Sequence, residues 1–311
     1  MTRHRIIINP TAGRGSAKKL APVIEKELTS HGLEFEIVQT SHPWHAAELA
    51  QQGVVLGFDV VVSVGGDGTA NEVLNGLMLA REAGLGSAAM GVLPIGRGND
   101  FAWSMGIPTK LEDSCRVLAE GQRITIDTGC VSGGLYPMGR YFGNGVGIGF
   151  DAVVGFFAKE MTHLSGFASY LAAAVKTMNY YHPAPLMEID LDDETVTQPT
   201  LMVSIMNGRR MGGGFLMTPH SLPNDSAMDL CIAAEIPRRR IPVLIGHFLR
   251  GTQVGHPAIQ MKRSSRIAVR AVKGVLPAHC DGETLCTDGT ELVIQTSPFK
   301  LELISTPQPA E

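Results

Sequence analysis

A chain of 311 residues with 44% apolar residues is long enough to bury the cores of two domains. Its net charge of −4 offers no general attraction for nucleic acid, and no apolar run approaches the roughly 20 residues of a spanning helix. Five scattered cysteines (Cys115, Cys130, Cys231, Cys280, Cys286), odd in number and without metal-ligand spacing, read as reduced thiols of a cytoplasmic protein. The charge is unevenly placed. From Arg209 to Lys273 eleven Lys or Arg face three acids (Asp225, Asp229, Glu235), a balance of +8 that leaves −12 for the remainder. A basic half of this kind suits either an anionic membrane face or a set of solvated strands.

The first strand, Arg5–Asn9, follows Met-Thr-Arg-His directly, which leaves no room for a signal peptide. It stops at Asn9-Pro10-Thr11-Ala12-Gly13-Arg14-Gly15. Ser16 is a candidate N-cap for a helix with the stripe Leu20, Val23, Ile24 and Leu28. Leu33–Thr40 reads as a second strand and Pro43–Gln52 as a short helix. Phe58–Val64 is a β-branched run of the kind buried in parallel sheets. It ends in Gly65-Gly66-Asp67-Gly68-Thr69, and a helical pattern (Asn71, Val73, Leu74, Leu77, Met78) follows at once. Ala88–Leu93, a helix over Leu111–Ala119 and the strand Arg123–Asp127 complete an alternating series, which implies βαβ units and a parallel sheet. Ligands of such sheets lie at the carboxyl ends of the strands, where Asn9, Thr40, Gly65–Thr69 and Pro94–Asp100 all fall.

The texture changes near residue 130. Short strand-like runs (Arg140–Asn144, Leu186–Leu191, Thr200–Asn207, Ala227–Ala233, Arg266–Ala271, Glu291–Gln295) are separated by Gly, Pro and Asn-Asp turns, the pattern of an antiparallel sandwich. Asp151–Tyr181 is the helical exception, broken at Gly166. Most of its apolar residues read as core, with Phe156, Phe157 and Met161 as candidates for a lipid pocket. Arg238-Arg239-Arg240 precedes the stripe Ile241, Val243, Leu244, Ile245, Phe248 and Leu249. The stripe alone is what a core-facing helix carries, and the arginines tip the reading toward an interfacial helix. The expected fold is therefore α/β. A Rossmann-like parallel domain spans 1–129, an antiparallel β-sandwich domain spans 130–296, and residues about 297–311 return to the first domain. The Pro-rich tail Thr306–Glu311 is expected to fray.

Strand, glycine turn and helix N-terminus are the parts from which backbone N–H groups converge on a phosphate. The turn has neither the Gly-x-Gly-x-x-Gly of dinucleotide folds nor the Lys-Ser/Thr of a P-loop. Gly-Gly-Asp-Gly-Thr followed by Ala70-Asn71-Glu72-Val73, together with Leu93-Pro94-Ile95-Gly96-Arg97-Gly98-Asn99-Asp100-Phe101, resembles the diacylglycerol kinase catalytic domain of bacterial lipid kinases. That family is related to sphingoid-base kinases and more distantly to NAD kinases. The resemblance runs from Asn9 to Glu283.

It implies an ATP-dependent lipid kinase of phospholipid metabolism, acting with Mg2+ on a hydroxyl of diacylglycerol or a related lipid. The implied nucleotide-binding residues are Asn9, Arg14, Thr40, Gly65, Gly66, Gly68, Thr69, Asn71, Gly96 and Asn99, with His45 matching a further family position. Carboxylates near magnesium would be Asp67, Asp100 and Asp127. Asp281 of Cys280-Asp281-Gly282-Glu283 would be the general base, which needs a buried or acidic setting to work near neutral pH. Glu283 would support it. Asp225 and Asp229 match a structural magnesium site, where Ser226 stands in place of the usual glycine. Arg97 and Trp103 replace a usual threonine and arginine. The partners implied are a lipid substrate and peripheral contact with the inner membrane face. The oligomeric state, a homodimer among the options, is left open. The rival readings are an NAD kinase-like enzyme and a non-catalytic lipid- or nucleotide-binding relative. The immediate Asn71-Glu72 after the turn favours the lipid kinase over the first, and retention of Asp67, Asp127 and Asp281 over the second.

Overall fold

The computed structural model describes residues 2–161, 167–181 and 183–306. The expected break at Gly166 and most of the tail fall outside them. The chain forms two compact units, Met1–Ile126 with Pro298–Glu311, and Asp127–Ser297.

In the first unit the elements are β1 (Arg3–Ile8), α1 (Ala12–Ser30), β2 (Glu34–Gln39), α2 (His45–Val55), β3 (Val60–Gly65) and α3 (Asp67–Glu82). They continue with β4 (Ala89–Pro94), α4 (Asp100–Ser104), α5 (Leu111–Glu120) and β5 (Arg123–Ile126). The sheet order is β2-β1-β3-β4, then the C-terminal strand Leu301–Ile304, then β5. All neighbours are parallel except the last pair, in which Leu301–Ile304 runs against β5. Every residue of β3 and β4 is buried, as continuous apolar runs in a doubly covered sheet require. Register levels the strand ends: Ile8 pairs with Val64, and Gly65 with Pro94. The loops that begin at Asn9, Gly66 and Ile95 therefore leave the sheet side by side.

The helical pattern of α1 is interrupted at its start by Gly13, Arg14 and Gly15, with φ of 58°, 59° and 85°. Regular helix begins at Ser16, whose Oγ donates to the Gly13 carbonyl at 2.8 Å, so it closes the loop instead of capping an N–H. The short helix α4 was not expected. It starts at Asn99, held at φ 52°, where a local side-chain amide makes the left-handed conformation tolerable.

The second unit is built on an antiparallel sheet. Its order is Glu283–Gly289, Leu276–Cys280, Gly145–Gly149, Thr195–Met206, Leu186–Asp190, Arg266–Lys273, Glu291–Thr296, Gly129–Gly133 and Tyr136–Phe142. The long strand Thr195–Met206 pairs through its first half with Leu186–Asp190. Its second half pairs with Gly145–Gly149 and Met228–Ala234, and its register breaks between Thr200 and Met202. One strand thus serves two layers, and Val146, Ile148, Val203, Ile205, Ile267 and Leu292 fill the space between them.

The helices Phe150–Glu160 and Phe167–Tyr180 cover a second apolar cluster together with Ile241–Arg250. Ile241, Leu244 and Phe248 are buried there, so the stripe faces the core. Arg238, Arg239, Arg240 and Val243 remain exposed. No helix among the described residues is long and apolar enough to cross a membrane. All five cysteines are free.

Candidate functional site

At the carboxyl edge of the first sheet, several glycines are required by space. A Cβ on Gly65 would lie 2.4 Å from Thr69 Oγ1, and one on Gly96 would lie 2.5 Å from both Gly66 Cα and Asn99 Oδ1. Such approaches exclude any side chain, and they draw the β3 and β4 loops together. The Ile95 N–H donates to the Gly65 carbonyl at 2.6 Å. Asn9 ties the first loop to the same place: its Nδ2 donates to Thr69 Oγ1 at 3.0 Å, while its Oδ1 accepts from Thr11 N–H and Oγ1–H at 3.1 and 2.8 Å. The N-terminus of α3 opens at Gly66–Thr69, where the positive end of the helix dipole favours an anion. Asn71 is buried and bonded by Asn75, so it braces the first turn of α3 from within. Thr40 extends the ladder by donating its N–H to the Ile8 carbonyl. Arg14 and Arg97 are exposed, and Trp103 is 42% exposed.

Asp67 and Asp100 come together over Gly98. A Cβ there would be 3.1 Å from Asp67 Oδ2 and 3.0 Å from Asp100 Oδ2. Asp67 Oδ1 accepts the Phe101 N–H at 3.0 Å, which fixes the carboxylate against the start of α4. Two hard oxygens facing one gap form a donor set suited to magnesium.

Glu72, one residue past Asn71, organises the β2–α2 loop. Its Oε1 accepts the Trp44 N–H at 2.9 Å and its Oε2 accepts the Ala46 N–H at 3.1 Å. That holds Trp44 at φ 70° and caps α2 with a negative charge. Replacing Glu72 by alanine should raise amide exchange at Trp44 and Ala46 at least about tenfold, the equivalent of about 1.4 kcal/mol per lost cap. Exchange in β3 should be unchanged, and unaltered rates at both amides would refute the clasp.

That loop and the first turn of α2 together carry His42, His45 and Glu48, whose ligand atoms lie within 4.8 Å of one another. The two imidazoles stack at 4.4 Å, and His45 Nδ1 already accepts the Ser41 N–H at 3.0 Å. A cavity of about 520 Å3 lies at the opposite, amino end of the strands, among Phe58, Asp59, Arg81, Ser87, Arg123 and Glu302. It holds none of the residues with a chemical case.

In the second unit, Asp281 sits at φ 46° immediately after the strand Leu276–Cys280 and is buried. Its Oδ1 accepts the N–H groups of Asn144 and Gly145 at 3.1 and 2.8 Å, and its Oδ2 accepts that of Gly143 at 2.9 Å. The carboxylate that the sequence marks as a base is thus also the anchor of the Gly143–Gly145 turn. Glu283 lies 3.9 Å from Lys159. Asp127 Oδ2 accepts the Ser226 N–H at 2.6 Å, and the Asp127 N–H donates to the Pro223 carbonyl at 2.6 Å. The structure therefore joins Asp127 to the turn of Asp225. Asp67 and Asp100 belong to the first unit.

Sequence reasoning missed a buried polar group beside these. Gly145, Gly147 and Gly149 alternate with Val146 and Ile148, so one strand face is apolar and the other bare. Over Gly147 stand Asp151 and His279: a Cβ there would be 2.4 Å from Asp151 Oδ2 and 2.5 Å from His279 Nε2. Ser204 Oγ donates to Asp151 Oδ2 at 3.1 Å. Burial pushes the Asp151 carboxyl up to about 7, against the opposing pull of the Ser204 and Ala152 hydrogen bonds. Burial, with a smaller contribution from Lys159, pushes the His279 imidazole down to about 4. The signal available in sequence was the Gly-x-Gly-x-Gly alternation ending two residues before Asp151.

A family model described as the diacylglycerol kinase catalytic domain matches residues 3–131. One described as the YegS C-terminal NAD kinase beta sandwich-like domain matches residues 144–305. The diacylglycerol kinase of Bacillus subtilis (strain 168) is 31% identical over 289 residues, covering 91% of this chain and 90% of that protein. The crystal structure of a diacylglycerol kinase from Bacillus anthracis str. Sterne superposes with a TM-score of 0.74 at 18% identity, over 98% of this chain and 97% of that one. An NAD kinase from Archaeoglobus fulgidus in complex with ATP gives a TM-score of 0.50 at 14% identity, over 97% and 93%. The last two likenesses are of fold.

Proposed function

Because the chain belongs to the family of diacylglycerol kinases and YegS-like lipid kinases, we propose that it transfers the γ-phosphate of ATP to the hydroxyl of diacylglycerol or a related lipid. The observation that carries this reading is the carboxyl edge of the first sheet. There, glycines that admit no Cβ bring two loops and a helix N-terminus together beside Asp67 and Asp100. The backbone of Gly66–Thr69 at the start of α3 would take the phosphates, with Asn9 and Thr69 holding the cradle's shape and Gly96 and Asn99 closing it from the β4 loop. Arg14 and Thr40 stand on neighbouring loops as further nucleotide contacts.

Asp67 and Asp100 would hold magnesium, with Asp127 assigned to the same network by family resemblance. When bound, that ion neutralises and bridges the phosphates of the nucleotide. Asp281 would take the proton of the lipid hydroxyl. Its hydrogen bonds to three amides fix its position, and Glu283 is assigned as a supporting acid by family resemblance. On this reading residues 1–126 with the returning strand hold the nucleotide, and 127–297 hold the lipid. The exposed arginines 238–240 and Val243 support a peripheral contact with anionic lipid at the cytoplasmic face.

The test is transfer of labelled γ-phosphate from Mg-ATP by the purified protein. Diacylglycerol micelles, a total lipid extract and NAD are assayed side by side, with Asp67→Asn as control. Label in a lipid spot that disappears with Asp67→Asn supports the proposal and identifies the acceptor. Label in NADP, or no transfer by folded protein that still binds ATP, overturns it.

A further inference from the structure

The family resemblance assigns a structural magnesium to the turn of Asp225 and Asp229, yet the donor set at that turn does not fit a divalent ion. Strand Met228–Ala234 runs against Ile259–Ser264 in a register that sets Arg263 directly opposite Asp229. Directly opposed residues of an antiparallel pair project from the same face. Arg263 Nε lies 3.6 Å from Asp229 Oδ1, and its Nη2 lies 2.5 Å from Asp225 Oδ2. One guanidinium therefore bridges both carboxylates that an ion would need. Its charge is permanent, and its planar fork engages two acidic side chains at once. Magnesium demands oxygen ligands at about 2.0–2.1 Å in near-octahedral array. A cation already spanning both acids opposes that by position and by charge.

The turn itself is closed by hydrogen bonds from its own backbone amides to carboxylates. Ser226 holds a left-handed φ of 65°, its N–H donates to Asp127 Oδ2, and the Ala227 N–H reaches Asp225 Oδ1 at 3.4 Å.

We propose that Arg263 is the resident cation of the Pro223–Asp229 turn, so that this chain is built to close the turn without a metal ion. The proposal is independent of which lipid is phosphorylated. It concerns the second unit alone, whereas magnesium bound with ATP is assigned to Asp67 and Asp100 in the first. Arg263 is 53% exposed on its side chain, so loss of the pair alone costs little stability. The diagnostic quantity is the response to a divalent ion.

Manganese binding by the full chain, followed by electron paramagnetic resonance without nucleotide, reads it directly. The set comprises the unmodified protein, Asp225→Asn, Arg263→Ala and the double variant, with thermal melting in EDTA and in millimolar magnesium as the second readout. The unmodified protein and Asp225→Asn should bind the same number of ions and show the same magnesium shift. Arg263→Ala should bind one ion more and gain a few degrees in magnesium, through linkage of binding to folding. The double variant should lose both gains.

An ion in the unmodified protein that disappears with Asp225→Asn would overturn the proposal. So would an Arg263→Ala protein that binds no additional ion. If Arg263→Ala does not fold, Arg263→Gln, which keeps a polar stem without the charge, takes its place with the same two outcomes.

Discussion

Replacing Asp281 by alanine is expected to destabilise the second unit by about 3–6 kcal/mol, because three buried amides would each lose their acceptor at about 1–3 kcal/mol apiece and relax only in part. The amides are those of Gly143, Asn144 and Gly145, all buried and all directed at this one carboxylate. Asp281→Asn should cost less, since its carbonyl oxygen still accepts and asparagine tolerates the positive φ of 46°. The order of stability, measured by denaturant unfolding of the full chain, should be aspartate, then asparagine, then alanine. An alanine variant as stable as the parent would show that the anchor is dispensable. The pair of variants also separates two roles. Asp281→Asn that is folded at the assay temperature and transfers no phosphate has lost chemistry, whereas loss only in Asp281→Ala reports the broken turn.

The second large effect concerns pH. The Asp151 carboxyl has a folded pKa of about 7, raised above the unfolded value of 3.8 by burial. A raised acid pKa means that the folded state keeps its proton longer than the unfolded one. The penalty is absent below the unfolded value, grows between the two, and is complete above the folded value, where it amounts to about 4 kcal/mol. His279 works in the opposite sense. Its folded pKa of about 4 lies below 6.5, so its stability is fully present above 6.5 and falls as pH drops toward 4, by about 3 kcal/mol.

Between pH 4 and 6.5 the two slopes nearly cancel. Asp151→Asn is therefore expected to raise the melting temperature at pH 8 by about 5 °C or more. The same change should expose the His279 slope as a steep loss of stability on acidification from pH 6.5. His279→Gln in that background should flatten the loss. If Asp151→Asn melts at the parent's temperature at both pH 8 and pH 4.5, the carboxyl is not buried in its neutral form and this account fails.

These two groups also mark where reading the chain stops. The parallel domain was legible because its signals are local. A β-branched run long enough for one buried strand, a glycine turn and a helix start lie within sixteen residues, from Phe58 to Val73. The family motifs at Gly65–Val73 and Pro94–Phe101 are also local, and the structure brings Asp67 and Asp100 of those motifs together over Gly98. The apolar stripe after Arg240 could not be placed by sequence for the same reason. Periodicity shows that a helix has one greasy face, but burial of Ile241, Leu244 and Phe248 depends on elements far along the chain.

Sequence by itself determined the fold class, the glycine-turn motif of the kinase family and the identity of the candidate acids. Tertiary structure alone decided what each acid does with its lone pairs. Asp281 meets amides 136 to 138 residues earlier, across a strand order that no local pattern encodes. Asp151 meets Ser204, 53 residues on, through the bare face of one glycine-alternating strand. Asp229 meets Arg263 through a register that a slip of one residue would have sent to opposite faces. Residue type sets which chemistry is available to a side chain, while burial and partner, which fix its charge and its free valences, arise only when distant segments pack.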